Sequence, residues 1–201
     1  MFDAKLRPII DGPLNVAGRW LATRGIRADH VTIAGFAIGI GAAISIATGA
    51  FGLGLLLIGL NRLADGLDGA VARATAPTDR GGFLDIALDF AFYAAIPLAF
   101  AIHDPAANAL PAAFLIAAFL ANGTAFLAFA IAAAKRDLTT ADQGIKSFFY
   151  MAGMAEGAET IAVFCAFCLW PSGFAWLAGG FAALCFVSAV ARVLAGWRAL
   201  Q

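Results

Sequence analysis

Long runs of apolar residues dominate the chain and alternate with short polar breaks. Six runs reach the roughly 20 residues that a helix needs to cross a bilayer. They cover residues 30–49, 51–73, 82–103, 109–134, 145–170 and 173–199. Glycine, proline and aspartate, which favour turns, fill the breaks between the runs. The pattern predicts an all-α integral membrane protein with six transmembrane helices, forming a single domain over residues 1–201.

The N-terminal 29 residues follow a different pattern. Between positions 2 and 22 apolar side chains alternate with charged ones, and Pro8 and Pro13 interrupt the sequence. Segments of this kind lie along a membrane surface rather than across it. We therefore expect residues 1–29 to form an amphipathic interfacial segment on the inner membrane face, followed by a six-helix bundle over residues 30–201. A loosely ordered tail is the alternative, because chain termini are often untied.

Basic residues are distributed unevenly among the polar breaks. Lysine and arginine occur in the segments on one predicted side of the membrane, and the three turns on the other side contain none. Cytoplasmic segments of membrane proteins carry such an excess of positive charge. The distribution predicts a cell (inner) membrane protein with both termini in the cytoplasm. Only Arg62 is left over from this distribution of basic residues, and it lies inside the second predicted span.

Composition supports a lipid environment and argues against other classes of protein. Of the 201 residues, 62% are hydrophobic and 13% are charged, whereas about 25% of residues are charged in soluble domains. A chain of this size cannot bury that apolar excess in its own core. The formal net charge is zero, so no nucleic-acid partner is indicated. The three cysteines lie in apolar runs and are expected to pack as small hydrophobic residues.

Four carboxylates interrupt the second and third predicted spans. Asp65 and Asp68 are three residues apart, and Asp85 and Asp89 are four apart, so each pair lies on one face of its helix. At about 1.5 Å of rise per residue, both pairs lie at a similar depth below the cytoplasmic end. Neighbouring carboxylates repel one another unless cations offset their charge. Because hard divalent cations prefer carboxylate oxygen, we predict that these four residues bind divalent metal.

Small residues leave room for a ligand beside these acids. Gly69 and Ala72 keep the second predicted helix thin, and Gly81 opens the start of the third. A diphosphate group needs such an approach, and Arg73 at the rim is suited to bidentate contact with phosphate. Asn61 precedes Asp65 by four residues and is expected on the same face. It positions a carboxylate or the nucleotide, or forms a structural hydrogen bond between helices.

The order and spacing of these residues form a signature. The residues are Asp65, Asp68, Gly69, Ala72, Arg73, Gly81, Asp85 and Asp89. Their spacing resembles the pattern D-x-x-D-G-x-x-A-R…G-x-x-x-D-x-x-x-D of the CDP-alcohol phosphotransferase family. Seven residues separate the arginine from the next glycine, one fewer than in the commonest form of that pattern. The difference falls in the turn between the helices, so we expect it to change the loop and not the site.

The resemblance implies an activity, a cofactor and roles for the matching residues. The implied reaction transfers a phosphatidyl group from CDP-diacylglycerol to a small alcohol or phosphorylated alcohol, releases CMP, and requires two divalent cations, Mg²⁺ or Mn²⁺. The implied role of Asp89 is to complete the metal shell or to act as the catalytic base. The nucleotide-binding residues expected on these grounds are Asn61, Asp65, Gly69, Ala72, Arg73 and Gly81. A homodimer and an active site open to the cytoplasm are also expected.

Other polar residues are candidates for binding the acceptor alcohol. Glu156 and Glu159 interrupt the fifth predicted span, and we expect one of them to bind hydroxyl groups or an ammonium group, unless it pairs with Arg62. The basic residues near the predicted cytoplasmic mouth suit an anionic acceptor, steer the anionic lipid donor, or anchor their helices at the interface. These basic residues are Lys135, Arg136, Lys146 and Arg192; of these, Lys135, Lys146 and Arg192 are the acceptor candidates.

Two further residues bear on helix packing. Gly35 and Gly39 form a small-xxx-small pair in the first predicted span. Such pairs let helices approach closely. Close packing is expected here, and a dimer interface is the second interpretation. Arg62 is expected to pair with an acid on another helix.

The sequence leaves two other functions open. Intramembrane prenyltransferases also bind Mg²⁺-diphosphate through Asn/Asp-rich helices, and the spacing of Asn61, Asp65 and Asp68 faintly resembles that pattern. Such enzymes need more spans and a second Asp motif. A cation transporter with a carboxylate-lined path is the third candidate, but it does not need the spacing of Gly69, Ala72 and Arg73. Release of CMP distinguishes the first function from both alternatives.

Overall fold

The computed structural model describes residues 3–136 and 157–201, with side chains from residue 11 onward. These residues are helical apart from short turns, so the all-α prediction is confirmed for them. The helices are α1 (Asp3–Thr23), α2 (Ala28–Ala47), α3 (Phe51–Ala74), α4 (Asp79–His103), α5 (Pro105–Lys135), α6 (Gly157–Leu169) and α7 (Phe174–Ala199). A 3₁₀ turn at Pro171–Gly173 precedes α7.

Within the described residues, four segments are helical, long and apolar enough to cross a membrane: α2, α4, α5 and the stretch Pro171–Ala199 that contains α7. Their length and composition agree with the predicted membrane protein. The second predicted span is the 24-residue helix α3, which is less apolar than these because it carries Arg62, Asp65 and Asp68. The fifth is described only from Gly157 onward, as a shorter apolar helix. The count of six spans therefore stays a prediction.

Capping residues define where the helices begin and how closely they follow one another. The Thr78 hydroxyl accepts a hydrogen bond from the Gly81 amide at 3.1 Å at the start of α4. Asp104 does the same for Ala107, at 3.1 Å, at the start of α5. Such caps satisfy amide groups that the first helical turn leaves unpaired. Gly49 has a φ of 85°, a left-handed conformation that favours glycine, and it lets α3 follow α2 after a tight turn.

The position of α2 determines the space in which the acids lie. α2 packs against both α3 and α4, whereas α3 and α4 have few close backbone approaches to each other. The short turn around Pro77 predicts that α3 and α4 are antiparallel neighbours. The structure instead places α2 between them and leaves a gap that polar side chains of both helices fill.

Aromatic side chains form the core at the other end of the helices. Phe100, Phe167 and Phe174 are fully buried, and the rings of Phe100 and Phe174 stack with centroids 4.6 Å apart. All three cysteines are free thiols, and Cys185 belongs to this core, in agreement with a packing role. Tight packing of this kind drives helix association in lipid, where the hydrophobic effect is absent.

The two glycines of α2 pack inside the chain. A Cβ on Gly35 would lie 2.9 Å from the Cβ of Ala64, and one on Gly39 would lie 2.7 Å from Cδ2 of Phe92. Both glycines are buried. Close helix packing is thus confirmed, and this face of α2 is occupied by the chain's own helices and is not free to form a dimer interface.

The N-terminal segment is more regular than the sequence predicted. α1 continues as one helix through Pro8 and Pro13, and it packs against α3. A Cβ on Gly18 would lie 2.7 Å from the carbonyl carbon of Ala70, so the two backbones approach closely. The amphipathic, interfacial position of this segment stays a prediction.

We predict that Gly18→Ala destabilises the protein through this contact. Overpacking against backbone costs about 1–3 kcal/mol, which outweighs the gain of up to about 1 kcal/mol in helix propensity from glycine to alanine. Thermal unfolding in detergent should show a lower midpoint. The matched control is Gly12→Ala on the same helix, where an added Cβ meets nothing within 4 Å, so its midpoint should be unchanged or higher. Equal midpoints for the two variants would contradict the close approach.

Candidate active site

Three carboxylates from two helices converge in the gap between α3 and α4. α3 supplies Asp65, while Asp85 and Asp89 come from α4, one turn apart on the same face. One oxygen of each lies within 4.8 Å of the oxygens of the other two. Oxygens bound to one Mg²⁺ are at most about 4.2 Å apart, given a bond of about 2.1 Å. The donor type and the spacing therefore fit divalent cations after small side-chain movements.

Asp68, the fourth predicted ligand, lies next to this group but is not one of its members. Its side chain is buried, with 8% of the residue exposed. It lines both the small cavity among the acids and a larger cleft beside them. Asp68 therefore marks the boundary between a candidate metal site and the cleft.

The cleft has a volume of about 530 Å³ and lies between the start of α2, the end of α3 and the start of α4. Gly69, Ala72 and Gly81, the small residues of the signature, all line it. Pockets for small molecules and cofactors commonly have volumes of about 300–1,000 Å³. A nucleotide is a ligand of suitable size for this cleft.

Six polar residues that the sequence did not single out also line the cleft. They are Arg27, Asp29, Thr32, Thr75, Thr78 and Arg80. The Arg80 guanidinium pairs with the Asp29 carboxylate, which links the starts of α2 and α4. Positive charge at predicted helix ends was visible in the sequence, but charge alone does not tell which side chain faces a ligand.

Arg73 points away from the cleft. Its Nη2 and Nε donate hydrogen bonds to Oδ1 of Asn15 in α1, at 3.1 and 3.3 Å. It lines a separate cavity together with Asn15 and Arg19. Its guanidinium still lies beside Gly69, since Nη1 is 3.3 Å from the position of a Cβ on that glycine. Contact between Arg73 and a phosphate group requires this side chain to turn, and stays a prediction.

Asn61 and Arg62 connect the acids to α2. Asn61 Nδ2 donates a hydrogen bond to the Gly35 carbonyl at 2.9 Å, and its Oδ1 accepts one from Arg62 Nε at 3.0 Å. Arg62 Nη2 lies 2.8 Å from Asp89 Oδ1, and Nη1 lies 3.5 Å from Asp65 Oδ2. Pairing of Arg62 with an acid on another helix is therefore confirmed. Asn61 forms a structural bond between helices and also holds Arg62.

A second cavity lies between α4, α5, α6 and α7. Its volume is about 120 Å³, and its lining includes Tyr93, Thr160 and Arg192. The Arg192 guanidinium lies 5.3 Å from the centroid of the Phe126 ring. Among the predicted acceptor residues that the structure describes, Arg192 therefore lines a cavity.

The remaining acceptor candidates lie around this cavity or outside the described residues. Glu159 is partly buried in the first turn of α6, between Gly157 and Thr160, which both line the cavity. Lys135 is exposed at the end of α5. Glu156 and Lys146 fall outside the residues that the structure describes.

Comparison with known sequences identifies relatives over the whole chain. The sequence pattern of the CDP-alcohol phosphatidyltransferase family matches residues 26–192. Inner membrane protein YnjF of Escherichia coli (strain K12) is 46% identical over 201 residues, which cover 100% of this chain and 98% of that protein. Archaetidylinositol phosphate synthase of Pyrococcus horikoshii is 37% identical over 87 residues, which cover 43% of this chain and 46% of the relative.

A solved structure shows the same fold. It is the crystal structure of Mycobacterium tuberculosis phosphatidylinositol phosphate synthase (PgsA1) with CDP-DAG bound. The TM-score is 0.64 at 20% sequence identity, over 92% of this chain and 93% of that one. Among the three functions open on the sequence, the family match selects the first over a prenyltransferase or a cation transporter. The chain belongs to the CDP-alcohol phosphatidyltransferase family and is an enzyme of that family.

Proposed function

We propose that this enzyme transfers a phosphatidyl group from CDP-diacylglycerol to an alcohol and releases CMP. The observation that carries the proposal is the junction at Asp68 and Asp85. These residues line the cleft, and Asp85 also belongs to the carboxylate group. A nucleotide in the cleft therefore places its diphosphate next to that group.

Two divalent cations, Mg²⁺ or Mn²⁺, complete the site in this proposal. Asp65, Asp68 and Asp85 hold them, and Asp89 contributes one oxygen to their shell or acts as the base. Bound cations of this kind offset phosphate charge and stabilise the leaving phosphate. The carboxylate donors of this chain suit either ion.

The cleft binds the cytidine diphosphate part of the donor. Gly69, Ala72 and Gly81 present little side-chain bulk to the cleft, so a nucleotide reaches the backbone of α3 and α4. Asp65 and Asn61 face the small cavity at its inner end. Arg73 reaches a phosphate oxygen after leaving Asn15, and charge-assisted contacts of that kind are strong.

Of the two roles open to Asp89, this proposal gives it that of general base. The acceptor's hydroxyl oxygen attacks the phosphorus of the phosphatidyl group and forms a new P–O bond. The bond between that phosphorus and the oxygen of CMP breaks, and CMP leaves with this oxygen. Asp89 takes the hydroxyl proton, so atoms and charge balance. A carboxylate can serve this role when it lies within hydrogen-bond reach of the hydroxyl.

A phosphorylated alcohol is the acceptor class that the second cavity favours. Arg192 in its wall supplies a cation for phosphate. Tyr93 also lines this cavity, and its ring lies 5.9 Å from the Arg62 guanidinium, so the cavity adjoins the acids. Glu159 and Lys135, with Glu156 and Lys146, complete the acceptor set in this proposal. The names of the archaeal synthase and of PgsA1 refer to inositol phosphate products, which fits this class.

The membrane arrangement is part of the proposal. Six spans, an N-terminal interfacial segment and cytoplasmic termini leave the cleft open to the cytoplasm, where nucleotides are available. The distribution of lysine and arginine supports this orientation, and the Escherichia coli relative is named an inner membrane protein. A homodimer is proposed on the family resemblance.

The direct test is CMP release by the purified protein. The assay contains CDP-diacylglycerol, Mg²⁺ or Mn²⁺, and a panel of free and phosphorylated alcohols. We expect CMP to appear with an acceptor and metal and to disappear when a chelator is added. Absence of CMP with every acceptor, together with absence of CDP binding, would refute the proposed function.

Asp89→Asn should bind CDP and turn over slowly. Loss of a general base lowers turnover by about 10²–10⁴-fold, and the amide cannot accept the hydroxyl proton. Initial rates of CMP release and equilibrium CDP binding measure the two effects separately. Asp104→Asn makes the same change just beyond the other end of α4 and should keep wild-type turnover. Full activity of Asp89→Asn would remove this residue from the mechanism.

Arg192→Gln should raise the KM for a phosphorylated acceptor by about 10–100-fold, since a hydrogen bond to a charged group contributes about 1.5–3 kcal/mol. The KM for CDP-diacylglycerol should not change, because that substrate occupies the cleft. Arg198→Gln, an exposed position near the end of the same helix, is the control and should leave both constants unchanged. An unchanged acceptor KM in Arg192→Gln would assign Arg192 to helix anchoring.

A further inference from the structure

Arg62 is a cation inside the acidic site, and the family signature contains no residue at its position. We propose that Arg62 is a resident cation of the active site. Its guanidinium stays bound to Asp65 and Asp89, competes there with divalent cations, and positions Asp89 for its role as base. The inference rests on the proposed function, because it assigns Arg62 a role toward the metals of that reaction.

The Arg62 guanidinium contacts two of the acids directly. Nη2 lies 2.8 Å from Oδ1 of Asp89, and Nη1 lies 3.5 Å from Oδ2 of Asp65. Asp65 and Asp89 are two of the three residues whose oxygens converge within 4.8 Å. Arg62 therefore holds two of the three carboxylates that a divalent cation in this group also needs.

On the side away from the acids, Asn61 fixes the position of Arg62. Its Nε donates to Oδ1 of Asn61 at 3.0 Å, and Asn61 in turn donates to the Gly35 carbonyl at 2.9 Å. Asn61 is only 4% exposed, so departure of Arg62 would leave the Asn61 oxygen buried without this donor. Loss of such a partner is costly. Arg62 is therefore fixed to α2 through Asn61 and is not a side chain that swings freely between partners.

Aromatic rings enclose the guanidinium on a further side. Its Cζ lies 5.2 Å from the Phe92 ring centroid and 5.9 Å from that of Tyr93. Cation–π contacts within about 6 Å are attractive. With the rings on this side, the guanidinium faces the carboxylates of Asp65 and Asp89 on the other. Arg62 lies three residues before Asp65 in α3. At about 1.5 Å of rise per residue, it is about 4.5 Å farther than Asp65 from the end of α3 that carries Arg73. It thus closes the inner end of the site.

The positive charge of Arg62 weakens the binding of a divalent cation next to it. Four carboxylates carry four negative charges, and Arg62 offsets one of them permanently. A divalent cation near Asp65 and Asp89 is repelled by the guanidinium and shares these two carboxylates with it, so one of the two cations binds more weakly than the other. The bond to Oδ1 of Asp89 leaves Oδ2 for the acceptor's hydroxyl or for metal. Arg62 is a positioning residue in this sense.

Direct measurement of Mn²⁺ binding tests the inference without relying on turnover. Electron paramagnetic resonance of free Mn²⁺, titrated into the purified full-length protein, gives the affinity of each class of site. We expect Arg62→Met to strengthen the weaker class by at least about tenfold, by analogy with shifts of 1–3 pKa units caused by adjacent charges. Arg62→Lys keeps the charge and should bind Mn²⁺ within about threefold of wild type.

Turnover supplies the second readout. Arg62→Met should lower kcat for CMP release because Asp89 loses its positioning contact, and Arg62→Lys should restore part of that loss. The two readouts therefore move in opposite directions in Arg62→Met, with tighter metal binding and slower turnover. A purely structural arginine predicts weaker or unchanged metal binding. Arg198→Met, at the exposed end of α7, controls for loss of an arginine elsewhere and should match wild type in both readouts.

The outcomes separate this inference from the proposed function. If the wild type releases CMP and binds Mn²⁺ but Arg62→Met has the same or weaker Mn²⁺ affinity, the inference is overturned and the function stands. If the wild type binds no Mn²⁺ and releases no CMP, both are overturned. Arg62→Gln is a second neutral variant with the same expected gain in affinity, and it carries the test if Arg62→Met does not fold.

Discussion

Repulsion among four carboxylates in an apolar bundle is the constraint on which the rest of this structure depends. Charged groups in lipid are expensive, and like charges in contact are more so. α2 packs against both α3 and α4, which have few close backbone approaches to each other, and the acids lie in the gap between them. The same arrangement opens the site at one end of the bundle, while Phe100, Phe167 and Phe174 seal the other end. The acids thus lie at one end of the bundle, and aromatic packing closes the other.

The constraint also explains where glycine is needed. Gly39 brings α2 so close to its neighbours that a Cβ would lie 3.0 Å from Nδ2 of Asn61. That approach holds Asn61 against the Gly35 carbonyl, and Asn61 in turn holds Arg62. Small residues farther along α3, such as Gly69, serve a different purpose, because they line the cleft. Glycine therefore provides close packing at one end of the site and ligand space at the other.

Much of this could be predicted from the sequence, because its signals are periodic or chemical. Apolar runs predicted the limits of α2, α3, α4, α5 and α7 within a few residues, and the pairing of acids by helical spacing predicted that Asp65 would meet Asp85 and Asp89. The failures concern relations between helices. A short connection suggested that α3 and α4 touch, since the pattern says nothing of α2 entering between them. Pro8 and Pro13 suggested an interrupted N-terminal segment, yet α1 continues through both and packs on α3.

The two arginines of α3 show why side-chain direction escapes sequence analysis. Arg73 belongs to the signature and was expected at phosphate, but Asn15 in α1 holds it outside the cleft. Arg62 belongs to no signature, yet it contacts two of the acids. Neighbouring residues on a helix do not face each other, so nothing in the sequence linked Asn61 to Arg62; the length of the arginine side chain makes that bond. A long, charged side chain is directed by the partners that folding brings within its reach, and two of these partners, Asn15 for Arg73 and Asp89 for Arg62, come from other helices.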